Sequence, residues 1–135
     1  MPPGILYLDS SALVKLVLPE RESPALLASL RLWPARATSE LARVEVLRAA
    51  RRAATDPAVE RRADEVLAAL HLLRLSGEIL DLAARLEPRG LRSIDALHLA
   101  SALSLQSDLG AVVAYDAALA AAAAARGMKV LAPGA

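Results

Sequence analysis

The chain contains no cysteine, which excludes disulfides and thiolate metal sites. Histidine is scarce as well: only His71 and His98 occur, too few for a histidine-rich metal centre. Any metal must then be held by carboxylates, and that donor set selects a hard ion such as Mg2+ or Mn2+. Phenylalanine is missing and Trp33 is the sole tryptophan, so the core has to be built mainly from Leu, Ala and Val. So aromatic-poor a core, with a mean hydropathy of +0.39, leaves apolar surface for a partner or a second copy. Neither sign of charge dominates: the net charge is +1, and no global basic field points to nucleic acid. Lysine is nearly absent, with only Lys15 and Lys129 among the 16 basic residues. Arginine grips phosphate better than lysine, but the Arg and Ala bias reads mainly as a genome-composition effect. No uncharged apolar run is long enough to span a bilayer. Met1-Pro2-Pro3-Gly4 lacks the basic start of a signal peptide, so a cytoplasmic protein is expected. A length of 135 residues suits a single domain over 1–135 with one well-filled core.

The stretch that organises the rest is Ile5-Leu6-Tyr7-Leu8-Asp9-Ser10-Ser11. A short continuous apolar run reads as a strand buried on both faces, as in a parallel sheet. The apolar residues from Ala12 to Leu18 continue as a helix, so Asp9 stands where a buried strand gives way to a helix. In open α/β sheets, ligands bind at that end of the strands. The plainer role for Asp9 is an N-cap.

The pattern predicts helices from about Ser10 to Leu18 and from Ser23-Pro24 to Leu32, ended by Pro19 and by Trp33-Pro34. Trp33 is expected in an exposed turn. A short strand follows at Ala35–Thr38. Ser39 is read as the cap of a third helix, Glu40 to Ala54, with Glu45 nearly two turns in. Asp56-Pro57 opens a fourth helix, to about His71, and Leu72–Leu75 is a strand candidate. Ser76 caps a fifth helix through Leu86, and Ser93 a sixth over Ile94–Leu105 with Asp95 in its first turn. Gly110–Tyr115 is a clear strand that runs into Asp116. The Ala-rich helix Ala117–Ala125, stopped by Arg126-Gly127, and a short strand Val130-Leu131 complete the pattern. Strands alternate with helices throughout, which predicts a three-layer α/β fold, a parallel sheet with helices on both faces.

Asp9 and Asp116 follow strands, and Glu45 and Asp95 lie near helix starts. In a parallel α/β sheet, strand C-termini and the next helix N-termini face one edge, so four carboxylates can converge there. Four anions in one pocket repel unless a cation joins them. A divalent ion would polarise a phosphoryl oxygen and activate water, and phosphodiester hydrolysis is the chemistry that fits. Each acid has a plainer role. Glu45 can pair with Arg48 on a solvated face, Asp95 can sit at a helix dipole, and Asp116 can be an N-cap. Ser11 either bonds a ligand carboxylate or water, or caps its helix locally. His98 follows Asp95 by three residues. It is more readily a packed histidine than a metal ligand, and His71 looks structural. No cysteine or lysine is expected at the site, and Ser10 and Ser11 have no histidine near them in sequence, so no protein nucleophile is expected.

Leu8-Asp9-Ser10-Ser11-Ala12-Leu13-Val14-Lys15-Leu16 resembles the opening of PIN-domain ribonucleases, particularly the VapC toxins of toxin–antitoxin pairs. Ser39-Glu40-Leu41 through Val44-Glu45-Val46-Leu47-Arg48-Ala49 is similar to their second motif. Ser93-Ile94-Asp95-Ala96-Leu97-His98-Leu99-Ala100-Ser101-Ala102 resembles the third, and Val113-Ala114-Tyr115-Asp116 the fourth. The likeness covers nearly the whole chain in order. It implies a sheet in the order 3-2-1-4-5, homodimers, Mg2+ or Mn2+, RNA as substrate and a cognate antitoxin. Carried over, Asp9, Glu45, Asp95 and Asp116 become the catalytic, metal-binding acids. One departure is Ala114, where many members carry Thr or Ser. The expected dimer face is the middle helices, about Glu40 to Leu86. The expected antitoxin groove runs near Leu18, Leu26, Leu30 and Trp33.

Two other phosphate-handling readings fail on residues. A receiver-like signalling domain needs an acidic pair after the first strand, where this chain has serines, and an Asp-x-Asp phosphatase fails because residue 11 is Ser. A non-catalytic interaction or signalling module of similar fold is the alternative, because acids alone do not prove turnover.

Overall fold

A computed structural model describes residues 3–135, and the Met1-Pro2 start lies outside the described residues. The chain runs β1 (Ile5–Leu8), α1 (Ser10–Val17), α2 (Ser23–Leu30), β2 (Ala35–Ser39), α3 (Ala42–Ala53) and α4 (Pro57–Ala68). It continues through β3 (His71–Leu73), α5 (Gly77–Arg85), α6 (Ser93–Leu103), β4 (Leu109–Val113), α7 (Ala117–Ala125) and β5 (Val130–Leu131). All five strands are parallel, in the order β3-β2-β1-β4-β5. β1 is therefore central, with Leu8 beside Val113 of β4 and Tyr7 beside Ala37 of β2. Its four apolar residues are what a strand covered on both faces requires.

Alternation along the strands divides the core in two. Leu6, Leu8, Ala111 and Val113 face α1 to α4, where Leu13, Val17, Leu26, Leu30, Val46 and Leu67 pack on them. Tyr7, Val112 and Ala114 face the other layer, with Ile79, Leu99 and Leu119 of α5, α6 and α7. Helix starts follow local chemistry. The side chains of Asp9, Asp56, Ser76 and Asp116 accept backbone N–H bonds from Ala12, Ala58, Ile79 and Leu119. α7 ends at Arg126, followed by Gly127 at φ +82°, the left-handed stop that glycine adopts freely.

Several expected boundaries move. Trp33 is buried, only 7% exposed, because its ring lies against β4 where Gly110 has no side chain. A Cβ on Gly110 would come within 2.4 Å of that ring and 2.3 Å of the Pro3 carbonyl. Leu26 and Leu30 are also in the core, so the expected groove is largely filled. The apolar hollow on that side is lined instead by Leu16, Leu27, Leu30, Val66 and Leu70. Ser39 belongs to β2 and does not cap α3. Glu40 is tied to the β3 end: its N–H donates to the Leu73 carbonyl and its carboxylate accepts from Leu75 N–H. That tether delays α3 to Ala42 and puts Glu45 in its first turn, not nearly two turns in. His71 opens β3 rather than ending α4. Arg92, not Ser93, is the N-cap of α6, and no side chain caps that helix. β4 stops at Val113, two residues before Tyr115.

Candidate active site

Asp9, Glu45, Asp95 and Asp116 line one pocket of about 440 Å3, together with Ser10, Ser11, Arg92, Ser93, Ile94 and His98. Parallel pairing explains the convergence. Asp9 follows β1, Asp116 caps the helix after β4, and Glu45 and Asp95 lie in the first turns of α3 and α6.

Asp9 is 3% exposed. Its carboxylate accepts from Ala12 N–H at 2.9 Å and from Ser11 Oγ at 2.7 and 2.9 Å. Burial pushes its pKa up, and the nearby charge of Asp95 adds to this; the hydrogen bonds of Ala12 and Ser11 and the proximity of His98 work the other way. Ser11 thus touches Asp9, while the capping of α1 falls to Asp9 itself.

Asp95 is buried, and its Oδ2 accepts from Arg92 Nε at 3.0 Å. Asp116 turns Oδ2 to Leu119 N–H at 3.0 Å, and its Oδ1 lies 3.7 Å from Arg92 Nη2. Arg92 is therefore the permanently charged base among the pocket-lining residues, its side chain 72% exposed over the acids. Carboxylate neighbours, Asp95 first, raise its pKa further. Ala114 is buried and offers no hydroxyl near Asp116.

Glu45 has the densest surroundings. Its Oε1 accepts from Ser10 Oγ at 2.5 Å and lies 2.8 Å from His98 Nε2. Burial works to raise its pKa, but the bonds from His98 and Ser10 outweigh it and hold the group below the usual carboxylate range. His98 is 2% exposed, and its Nδ1 lies 2.8 Å from the Tyr7 hydroxyl. Both ring nitrogens are thus engaged. The sequence favours a packed His98 over a metal ligand, weighs Ser10 only as a nucleophile, and gives no role to Tyr7 or Arg92. The Asp-x-x-His spacing was the available signal for His98, and nothing in the sequence joined it to Tyr7. Ser10 has no histidine near it in sequence but has one in space, with His98 Nε2 at 3.1 Å from Oγ. It makes no nucleophilic dyad, because Nε2 facing a carboxylate carries a proton and cannot take one from Ser10.

The donor set suits a divalent ion. It consists of hard carboxylate oxygens, and Asp9 is a buried carboxylate with no ion-pair partner among the described residues. A buried anion of that kind is stabilised by a cation. Among the described residues, no three such groups already stand close enough to cage an ion. Each acid has its own partner instead: Ser11 on Asp9, Ser10 and His98 on Glu45, and the exposed Arg92 on Asp95 and near Asp116.

The PIN domain profile matches residues 6–124. The chain is 47% identical over 128 residues to Ribonuclease VapC46 of Mycobacterium tuberculosis, covering 95% of this chain and 97% of that one. It is 38% identical over 120 residues to Ribonuclease VapC47 of the same species, covering 83% and 85%. A solved toxin-antitoxin complex from Klebsiella pneumoniae superposes with a TM-score of 0.63 over 82% of this chain and 86% of the other. At 22% identity, that likeness is one of fold. With the parallel sheet and the four gathered acids already in place, these matches are decisive: the chain belongs to the PIN-domain family, in its VapC ribonuclease branch.

Proposed function

We propose that the chain is a Mg2+- or Mn2+-dependent endoribonuclease, acting as a single PIN-like domain and serving as the toxin of a toxin–antitoxin pair. The observation that carries this reading is the arrival of four carboxylates from four separate elements in one pocket. The relatives named as ribonucleases support RNA as the substrate. The non-catalytic alternative is not favoured by them.

Asp9, Glu45, Asp95 and Asp116 would hold the ion. When bound, it supplies Lewis-acid polarisation of the phosphoryl oxygen and lowers the pKa of water. The chain's own residues prepare the site. Ser11 and Ala12 N–H fix the Asp9 carboxylate. Ser10 and His98 both engage Oε1 of Glu45, which leaves Oε2 to turn toward the pocket. The Leu119 bond engages Oδ2 of Asp116, leaving Oδ1 on the side of Arg92. Arg92 stands where a phosphate oxygen can take its guanidinium in exchange for Asp95.

An antitoxin is the proposed partner, seated on the hollow lined by Leu16, Leu30, Val66, Leu70 and the exposed Leu27. A cytoplasmic homodimer is proposed through the middle helices, where Val44 of α3 and Leu80 of α5 are exposed. Among the described residues, no helix is long and apolar enough to cross a membrane. The deciding experiment incubates purified protein with an RNA panel in Mn2+, in Mg2+ and in EDTA. Cleavage that needs the ion is expected, and cleavage unaffected by EDTA would end the metal-dependent reading. Sedimentation at several concentrations checks the dimer, and a monomer at all of them refutes it.

A further inference from the structure

Tyr7 lies on β1 and His98 on α6, separated by 91 residues in sequence, yet they make one line of contacts into the pocket. The line runs from the Tyr7 hydroxyl to His98 Nδ1 at 2.8 Å, then from His98 Nε2 to Glu45 Oε1 at 2.8 Å. Tyr7 is fully buried and His98 nearly so. The phenol and imidazole meet edge to face, with ring centroids 5.9 Å apart.

The direction of each bond follows from elementary chemistry. A carboxylate oxygen only accepts, so Nε2 at 2.8 Å from Oε1 carries a proton. The Tyr7 hydroxyl can then donate to Nδ1, which accepts as a neutral imidazole does when its proton sits on the other nitrogen. The carboxylate thus sets the proton on Nε2, and the phenol, by donating to Nδ1, keeps that nitrogen an acceptor and holds the tautomer in place. With Oε1 held by His98 and Ser10, the Glu45 carboxylate loses its freedom to rotate about its last bond.

We propose that Tyr7 and His98 are positioning residues that orient Glu45 for the divalent ion, with Tyr7 acting as a tautomer lock on His98. Neither residue touches the ion or the RNA. This rests on the metal-dependent reading above, and it adds two residues from outside the acid quartet. The arrangement has the logic of outer-shell bonds in metalloenzymes, where a hydrogen-bonded neighbour fixes the ring and the ligand behind it.

The test is calorimetric titration of RNA-free protein with Mn2+, with circular dichroism in EDTA confirming that each variant is folded. Wild type and Asp9→Asn accompany every run. His98→Asn places its amide near the old Nδ1 and lacks a donor toward Glu45, and it should weaken Mn2+ binding about tenfold. His98→Gln places an amide N–H near the old Nε2 and should restore most of that affinity. Tyr7→Phe should weaken Mn2+ binding severalfold in the wild-type background and have no effect beside His98→Gln, because an amide needs no tautomer lock. A merely structural role for Tyr7 would show equally in both backgrounds. Folded His98→Asn binding Mn2+ like wild type, or Tyr7→Phe acting alike in both backgrounds, overturns the proposal and leaves the metal reading intact. Wild type binding no Mn2+ overturns both.

Discussion

Asp9→Asn separates the two parts of the argument, because it should damage function while helping the bare fold. Asn keeps the side-chain length and an oxygen that can accept from Ala12 N–H and Ser11 Oγ, so α1 retains its cap. The change removes a charge that is 3% exposed, has no basic partner among the described residues and faces Asp95. The Asp9 pKa is pushed up chiefly by burial, so at neutral pH the ionised group opposes folding on balance. Hydrogen bonds to a charged acceptor exceed neutral ones, which offsets part of the relief. A net gain on the order of 1 kcal/mol is expected, or roughly 3–5 °C in Tm for a chain of this size. With Mn2+ at about 100 times its Kd, wild type should instead gain about 2.7 kcal/mol through binding, and the variant little. RNA cleavage should fall at least roughly a hundredfold, the scale of losing a strong electrostatic stabiliser. The assays are melting curves in EDTA and in Mn2+, alongside cleavage in both. Undiminished cleavage by Asp9→Asn would refute the role of Asp9. A lower Tm in EDTA would refute the account of its charge.

Three further outcomes are expected. Arg92→Ala removes an exposed cation that competes for Asp95 and Asp116, so Mn2+ should bind about two- to fivefold tighter, matching the worth of an exposed ion pair; calorimetry that finds weaker binding contradicts this. In EDTA, the raised Asp9 pKa makes stability fall as pH rises from ~4, the ordinary carboxylate value, through its folded-state value, while the lowered Glu45 pKa makes stability fall as pH drops below that ordinary value through its own. Asp9→Asn should abolish the first slope and Glu45→Gln the second, as read from Tm against pH. Gly110→Ala drives a methyl against the Trp33 ring and the Pro3 carbonyl, and it should cost about 1–3 kcal/mol, seen as a lower Tm and a shifted tryptophan emission.

What the sequence revealed follows the range of the forces involved. β1, α7 and β5 were legible because apolar continuity, alanine propensity and a glycine stop are local signals. The acids that reach the pocket were legible because strand ends and helix starts share an edge in a parallel sheet. The strand order came from the family likeness, since periodicity does not say which strands are neighbours. The start of α3 was misplaced because Glu40 bonds to the end of β3, a tie that no local pattern carries. Trp33 looked exposed because only the fold sets it against a glycine in β4. His98 was undervalued for the same reason, since its partner Tyr7 is far along the chain.

The pairing of Leu8 with Val113 has a consequence for the timing of synthesis. β1 and Asp9 leave the ribosome well before Asp95 and Asp116, which line the same pocket. Sheet closure between β1 and β4 joins segments far apart in the chain, and such contacts form slowly. A growing or truncated chain therefore carries some of the acids without the assembled pocket. With the four acids in the role proposed for them, RNA cleavage waits for β4 to join β1, and the interval of translation before that joining is free of nuclease activity.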